Sequence, residues 1–99
     1  MIERDEALRI LRRHKAKLRA RGIRRAAIFG SVSRGNARPG SDLDIMIEID
    51  RRERLTVFDL VAIKQAVADL FPGPVDVVDA AALKRGIDRT AKRDALYAF

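Results

Sequence analysis

Apolar residues recur along this chain in two rhythms, and the switches between them mark its elements. Ala7, Leu8, Leu11 and Leu18 fall at helical spacing, which predicts a helix over residues 3–21 with His14 at the edge of its stripe. Gly22 is placed to end that helix, because glycine takes the left-handed backbone of a C-terminal cap at little cost. Residues 25–29, Arg-Ala-Ala-Ile-Phe, read as a short strand running into Gly30-Ser31. A short helix over 31–35 and a loop through 36–40 should follow, since Gly35, Pro39 and Gly40 interrupt anything longer. Leu43–Asp50 then alternates. Leu43, Ile45, Ile47 and Ile49 face one way, and Asp42, Asp44, Met46, Glu48 and Asp50 the other, as a strand with one buried and one polar face requires.

A charged turn, Arg51-Arg52-Glu53-Arg54, separates this strand from a second long helix. Thr56 followed by Asp59 predicts a capping box at its start. Leu60, Ile63, Val67 and Leu70 supply its core stripe, and Phe71-Pro72-Gly73-Pro74 stops it. Val75-Asp76-Val77-Val78 reads as a third strand, short and β-branched. A last helix is expected to begin near Asp79 or Ala80 and run close to the end, with Leu83, Ile87 and Ala91 inward. The order α-β-α-β-α-β-α predicts an α/β (α+β) domain over residues 1–99: one small mixed β-sheet flanked by helices.

Bulk composition narrows the function classes. Ninety-nine residues make one modest core, and 47% hydrophobic with 35% charged residues is ordinary for a soluble protein. No window approaches the ~20 apolar residues of a membrane span, and the charged start lacks a signal-peptide apolar stretch. There is no cysteine, hence no disulfide framework and no thiolate metal site, which is compatible with a reducing cytoplasm. The net charge of +7 is unevenly placed. Residues 1–25 hold ten Lys/Arg against three Asp/Glu, whereas the remaining residues hold eleven of each sign. A basic segment of this kind attracts nucleic acid or an acidic protein, or is simply a solvated helix face; with no aromatics interleaved, the solvated face is the simpler assignment.

The chemistry-bearing residues lie elsewhere. A glycine directly after a strand lets backbone approach a phosphate, and the hydroxyl of Ser31 with the next amides can bond its oxygens. Asp42 and Asp44, two apart on a strand, project to the same face, where like charges repel unless a cation or proton lies between them. Magnesium takes such oxygen ligands, usually one or two carboxylates plus substrate phosphates. Asp76, within an apolar strand, is expected to be half-buried and costly unless paired or metal-bound. If its strand lies beside the one carrying Asp42, it completes a carboxylate triad. Each feature alone has a plain alternative: a strand-to-helix turn with Ser31 as cap, a surface Asp-x-Asp, an edge aspartate facing water. His14 and Tyr97, the sole histidine and tyrosine, are assigned to packing, Tyr97 against the last helix.

In combination, Gly30-Ser31-x-x-Arg34-Gly35, then Ser41-Asp42-x-Asp44, then Asp76 in a Val-Asp-Val context resembles the minimal nucleotidyltransferases of the DNA polymerase β-like superfamily. The resemblance spans nearly the whole chain and implies that fold. It also implies that Gly30 and Ser31 hold the triphosphate of ATP, and that Asp42 and Asp44 bind two magnesium ions. Asp76 is then the third carboxylate and candidate base, and Arg34 either anchors the motif loop or approaches phosphate; Ser41 belongs to the nucleotide-binding set. Members of this family commonly act as antitoxins that transfer AMP to a tyrosine of a helical HEPN-domain toxin. A chain this short has no room for an acceptor-binding domain of its own, so a protein acceptor in the cytoplasm is the expected partner. Two other readings stay open: neutralisation of the toxin by contact alone, and transfer to RNA or a small molecule with the basic helix as the RNA contact.

Overall fold

The computed structural model describes residues 3–30, 43–50, 55–83 and 95–99. Helices α1 (Arg4–Arg13) and α2 (Lys15–Ala20) lead into strand β1 (Ile23–Phe29). Strand β2 (Leu43–Ile49), helix α3 (Val57–Ala68), strand β3 (Val75–Asp79), the short helix α4 (Ala80–Leu83) and strand β4 (Leu96–Tyr97) follow. The sheet is mixed, with order β3-β2-β1-β4. β1 runs antiparallel to β2 and to β4, whereas β2 and β3 are parallel and joined through α3.

One face of the sheet carries the main core. Ala26, Ile28, Leu43, Ile45, Ile47 and Ile49 are buried there against Ala7, Leu8, Leu11 and Leu18 of the first helices and Ile63 and Val67 of α3. Ile23 joins this face although it is an odd number of residues from Ala26 and Ile28. A register irregularity between Ile23 and Arg25 absorbs the extra residue, as a β-bulge does. The other face, expected to be polar, is partly covered. Met46 is buried with Ala27 and Ala80, and Phe29 and Ala95 pack against them. The alternation in β2 is therefore real, but α4 and the chain's last residues cap the middle of its second face.

The expected single helix over 3–21 is two. At His14 (φ −101°, ψ 12°) the backbone N–H is shared between the carbonyls of Ile10 and Leu11, and ring Nδ1 also lies 2.9 Å from Ile10 O. At this residue the backbone leaves helical geometry, and α2 begins at Lys15. Gly22 takes φ +98°, as a terminating glycine should, and its carbonyl accepts a 2.7 Å bond from Asp50 N. That bond ties the start of β1 to the residue just past β2.

The capping box forms as expected. Asp59 N donates to Thr56 Oγ1 (3.1 Å), and Thr56 N donates to Asp59 Oδ2 (2.9 Å). Ile63 and Val67 are buried, Leu60 and Leu70 partly so, and Phe71 closes the helix's far end. Val57, Phe58 and Val61 point outward, Phe58 being 84% exposed.

The chain's end departs from expectation. The described part of the last helix is Ala80–Leu83; its expected continuation through Ile87 and Ala91 lies outside the described residues, as does the short helix over 31–35. Leu96–Tyr97 is a strand, not helix, with Tyr97 opposite Ala27, so the tyrosine pairs with the sheet instead of packing on a helix. Periodicity could not reveal this, because a two-residue strand exists only through its partner. Among the described residues, no helix is long and apolar enough to cross a membrane.

Two outcomes test this account. Ile45→Ala, at a fully buried central-strand position, should cost about 2–5 kcal/mol in urea denaturation, whereas Val61→Ala on the outer face of α3 should stay within about 0.5 kcal/mol. The Thr56 backbone N–H, and then its hydroxyl, hold the Asp59 carboxyl below its usual 3.8. Because the folded value is depressed, that stabilisation is present above pH 3.8 and is lost as pH falls through the lowered value. Thermal midpoints of wild type and Asp59→Asn should thus differ above that pH and converge below it.

Candidate active site

The site is built where β1 ends and where β2 and β3 begin. Phe29, the last residue of β1, is opposite Asp44 in the antiparallel register, and Asp44 is opposite Asp76 in the parallel one. The three positions therefore form one row across the sheet, on the face opposite the main core. Neighbouring strands lie ~4.8 Å apart, so the carboxylates of Asp44 and Asp76 project side by side. A parallel pairing is needed for this. Both strands then present their N-terminal ends, with their aspartates, at the same edge of the sheet.

Gly30 continues the row. It leaves β1 at φ +75°, a backbone that residues with a side chain rarely adopt. A Cβ placed on it would meet the Asp44 carboxylate, running into Oδ2 and standing 3.3 Å from Cγ. Two independent constraints thus require glycine here: the turn itself, and the close approach of the Asp44 side chain to bare backbone. The second appears only when β1 and β2 pair.

Burial divides the two carboxylates. Asp44 is half-buried on an inner strand, while Asp76 is exposed. The expectation of a half-buried Asp76 fails: among the described residues, β3 is the sheet's edge strand, paired only with β2. The strand adjacency on which the triad idea depended does hold. Ser31, Arg34, Ser41 and Asp42 lie outside the described residues. Among the described residues, no group of three His, Cys, Asp or Glu is gathered as a metal site. Asp44 and Asp76 form a pair, and Asp42, two positions before Asp44 in sequence, is not among those described.

Another carboxylate, Asp79 at the end of β3, is buried. Its Oδ1 accepts from Ala81 N at 3.0 Å, which caps the start of α4. This aspartate serves the fold: it fixes α4 over Met46 and so shapes the covered part of the site's face.

What the row can do chemically follows from its parts. A turn without a side chain, beside two adjacent carboxylates, offers backbone to an anion and oxygen ligands to a cation at one place. A nucleoside triphosphate carrying a divalent cation has both requirements.

Known proteins give the same picture. The model of the nucleotidyltransferase domain matches residues 10–98. The protein adenylyltransferase MntA of Thermococcus cleftensis is 35% identical over 98 residues, covering 98% of this chain and 97% of the relative. A solved structure described as a minimal nucleotidyltransferase shares 30% identity with a TM-score of 0.65, over 90% of this chain and 93% of that one. The fold is also that of the MNT antitoxin seen in complex with the tri-AMPylated HEPN toxin of Shewanella oneidensis, with a TM-score of 0.60 at 18% identity, covering 93% of this chain and 71% of that one. With the domain match running through almost its whole length, from α1 to β4, this chain belongs to the nucleotidyltransferase domain family.

Proposed function

We propose that this enzyme transfers AMP from ATP to a hydroxyl of a partner protein, a tyrosine of a HEPN-type toxin, and thereby serves as the antitoxin of a toxin–antitoxin pair in the cytoplasm. The observation that carries the reading is the row Gly30–Asp44–Asp76, set in a chain that aligns end to end with a protein adenylyltransferase. The partner's chemistry is taken from the related fold bound to an AMPylated HEPN toxin.

The residues fit a divalent cation. Asp44 and Asp76 project side by side from neighbouring strands, with Asp44 partly shielded from water, so the two carboxylates offer oxygen ligands at one place. In this reading Asp42, Asp44 and Asp76 would hold two magnesium ions, which when bound would neutralise charge on the triphosphate and polarise the attacking oxygen. Gly30 and Ser31 bind phosphate through backbone and hydroxyl, with Arg34 and Ser41 completing the nucleotide site. The acceptor hydroxyl attacks the α-phosphorus, the bond to the bridging oxygen breaks, pyrophosphate leaves, and the hydroxyl proton passes to the Asp76 carboxylate. Exposure of Asp76 suits this role, because a base at the sheet's open edge is reachable by a side chain presented from another protein.

Incubation with ATP labelled in the α-phosphate, magnesium and the helical protein encoded beside it should label that protein on tyrosine, read by peptide mass spectrometry. Label in RNA, or none in the partner, would defeat the reading. Asp44→Asn should lower transfer about 100- to 1,000-fold while the thermal midpoint is kept. If that variant silences the toxin as well as wild type does, neutralisation is by contact and not by transfer. Gly30→Ala should reduce transfer about 100-fold by displacing the Asp44 carboxylate, which a single-turnover assay would detect.

A further inference from the structure

A second concave site lies at the opposite end of β1. A cavity of about 480 Å³ is lined by Arg19, Gly22, Arg24, Arg25, Asp50 and Phe99. Its size falls within the range of small-ligand sites. The six residue-to-residue steps from Phe29 back to Ile23 put about 20 Å of strand between it and the carboxylate row. We propose that this cavity binds a single-stranded nucleic acid, seating one nucleotide against the arginines and the Phe99 ring while the flanking phosphates follow the basic surface of α1 and α2.

Three observations carry this. First, the cavity opens on a strongly cationic surface. The whole +7 excess belongs to residues 1–25, and every Lys and Arg from Arg4 to Arg25 is exposed. Such a charge distribution is the electrostatic footprint of a polyphosphate ligand. Second, its arginines are held in place in advance. The Arg19 guanidinium lies 5.5 Å from the Phe99 ring centroid. Arg25 lies 4.1 Å from that of Tyr97, with Glu48 at 3.6 Å from its Nε. Arg12 Nε donates to Ala98 O at 3.0 Å, so the same terminal stretch fixes a third guanidinium beside them. Guanidiniums already held over rings can present N–H edges to phosphate with less ordering cost on binding. Third, the site is concave and contains an aromatic ring. An acidic protein surface would need the charges but neither the hollow nor the ring, whereas an unstacked base uses both.

Arg24 is the informative position. It lines the cavity, is exposed, and is not one of the arginines that lie against the Phe99 and Tyr97 rings. The experiment is fluorescence anisotropy of the whole protein with labelled oligouridylate and oligodeoxythymidylate of about 10 nucleotides, titrated from about 50 to about 200 mM salt. Wild type should bind, with affinity falling steeply as salt rises. Arg24→Gln should weaken binding about threefold to tenfold and reduce the salt slope by about 0.7, with an unchanged thermal midpoint. Arg19→Glu combined with Arg24→Glu should abolish binding, while AMP transfer to the partner is unaffected. No binding by wild type, or equal binding by the Arg24 and double variants, would overturn the proposal. So would competition by polyglutamate as effective as that by the unlabelled strand, which would assign the surface to an acidic protein.

Discussion

The antiparallel pairing of β1 with β2 is the constraint on which everything else depends. It is anchored at one end by the bond from Asp50 N to Gly22 O and at the other by the fit of Gly30 backbone against the Asp44 carboxylate. Between these ends, Ala26, Ile28, Ile45 and Ile47 give the sheet its buried face. A slip of one residue would turn Asp44 into the core and Ile45 into the site, exchanging a buried methyl surface for a buried charge. Core and chemistry therefore enforce the same register. The positive φ of Gly30 serves both, since only a residue without a side chain lets strand and carboxylate meet.

β3 extends this arrangement in a different way. Its parallel pairing is possible only because α3 carries the chain back along the sheet, and α3 is pinned by its capping box at one end and by Phe71 at the other. The result places Asp76 beside Asp44 but at an edge. Edge strands are usually a hazard that proteins cover or charge. Here the edge carries an aspartate, which discourages strand addition and leaves one side of the proposed catalytic pair open to a second protein.

The opposite edge is managed by arginines. β4 is only two residues long, and the stretch 97–99 is fastened by Arg12 to Ala98 O, by Arg25 to the Tyr97 ring, and by Arg19 to the Phe99 ring. Residues that looked like solvated charge along the first helices thus take part in holding the end of the chain. Their cost in mutual repulsion is spread over an exposed surface, where water and salt screen it.

How much of this was legible beforehand depended on the range of the interaction involved. The α3 cap, the Gly22 terminator and the alternating face of β2 are set by residues within a few positions of one another, so their sequence was enough. Gly30, Asp44 and Asp76 were legible as candidates from their residue types and spacing, and pairing of the strands brings these three together; Ser31 and Asp42 lie outside the described residues. The helix break at His14 was not legible, since the apolar stripe continues across it to Leu18 without a glycine or proline to mark it. Nor was the exposure of Asp76, which follows from which strand ends the sheet. The C-terminal strand and the basic cavity were out of reach altogether, because they exist only once residues 97–99 meet β1 some seventy positions earlier in the chain. The sequence by itself determined the local elements and the chemical character of the site. Only the tertiary structure decided which aspartates become neighbours, which edge stays open and where the arginines converge, since those outcomes rest on contacts between distant residues that no local pattern encodes.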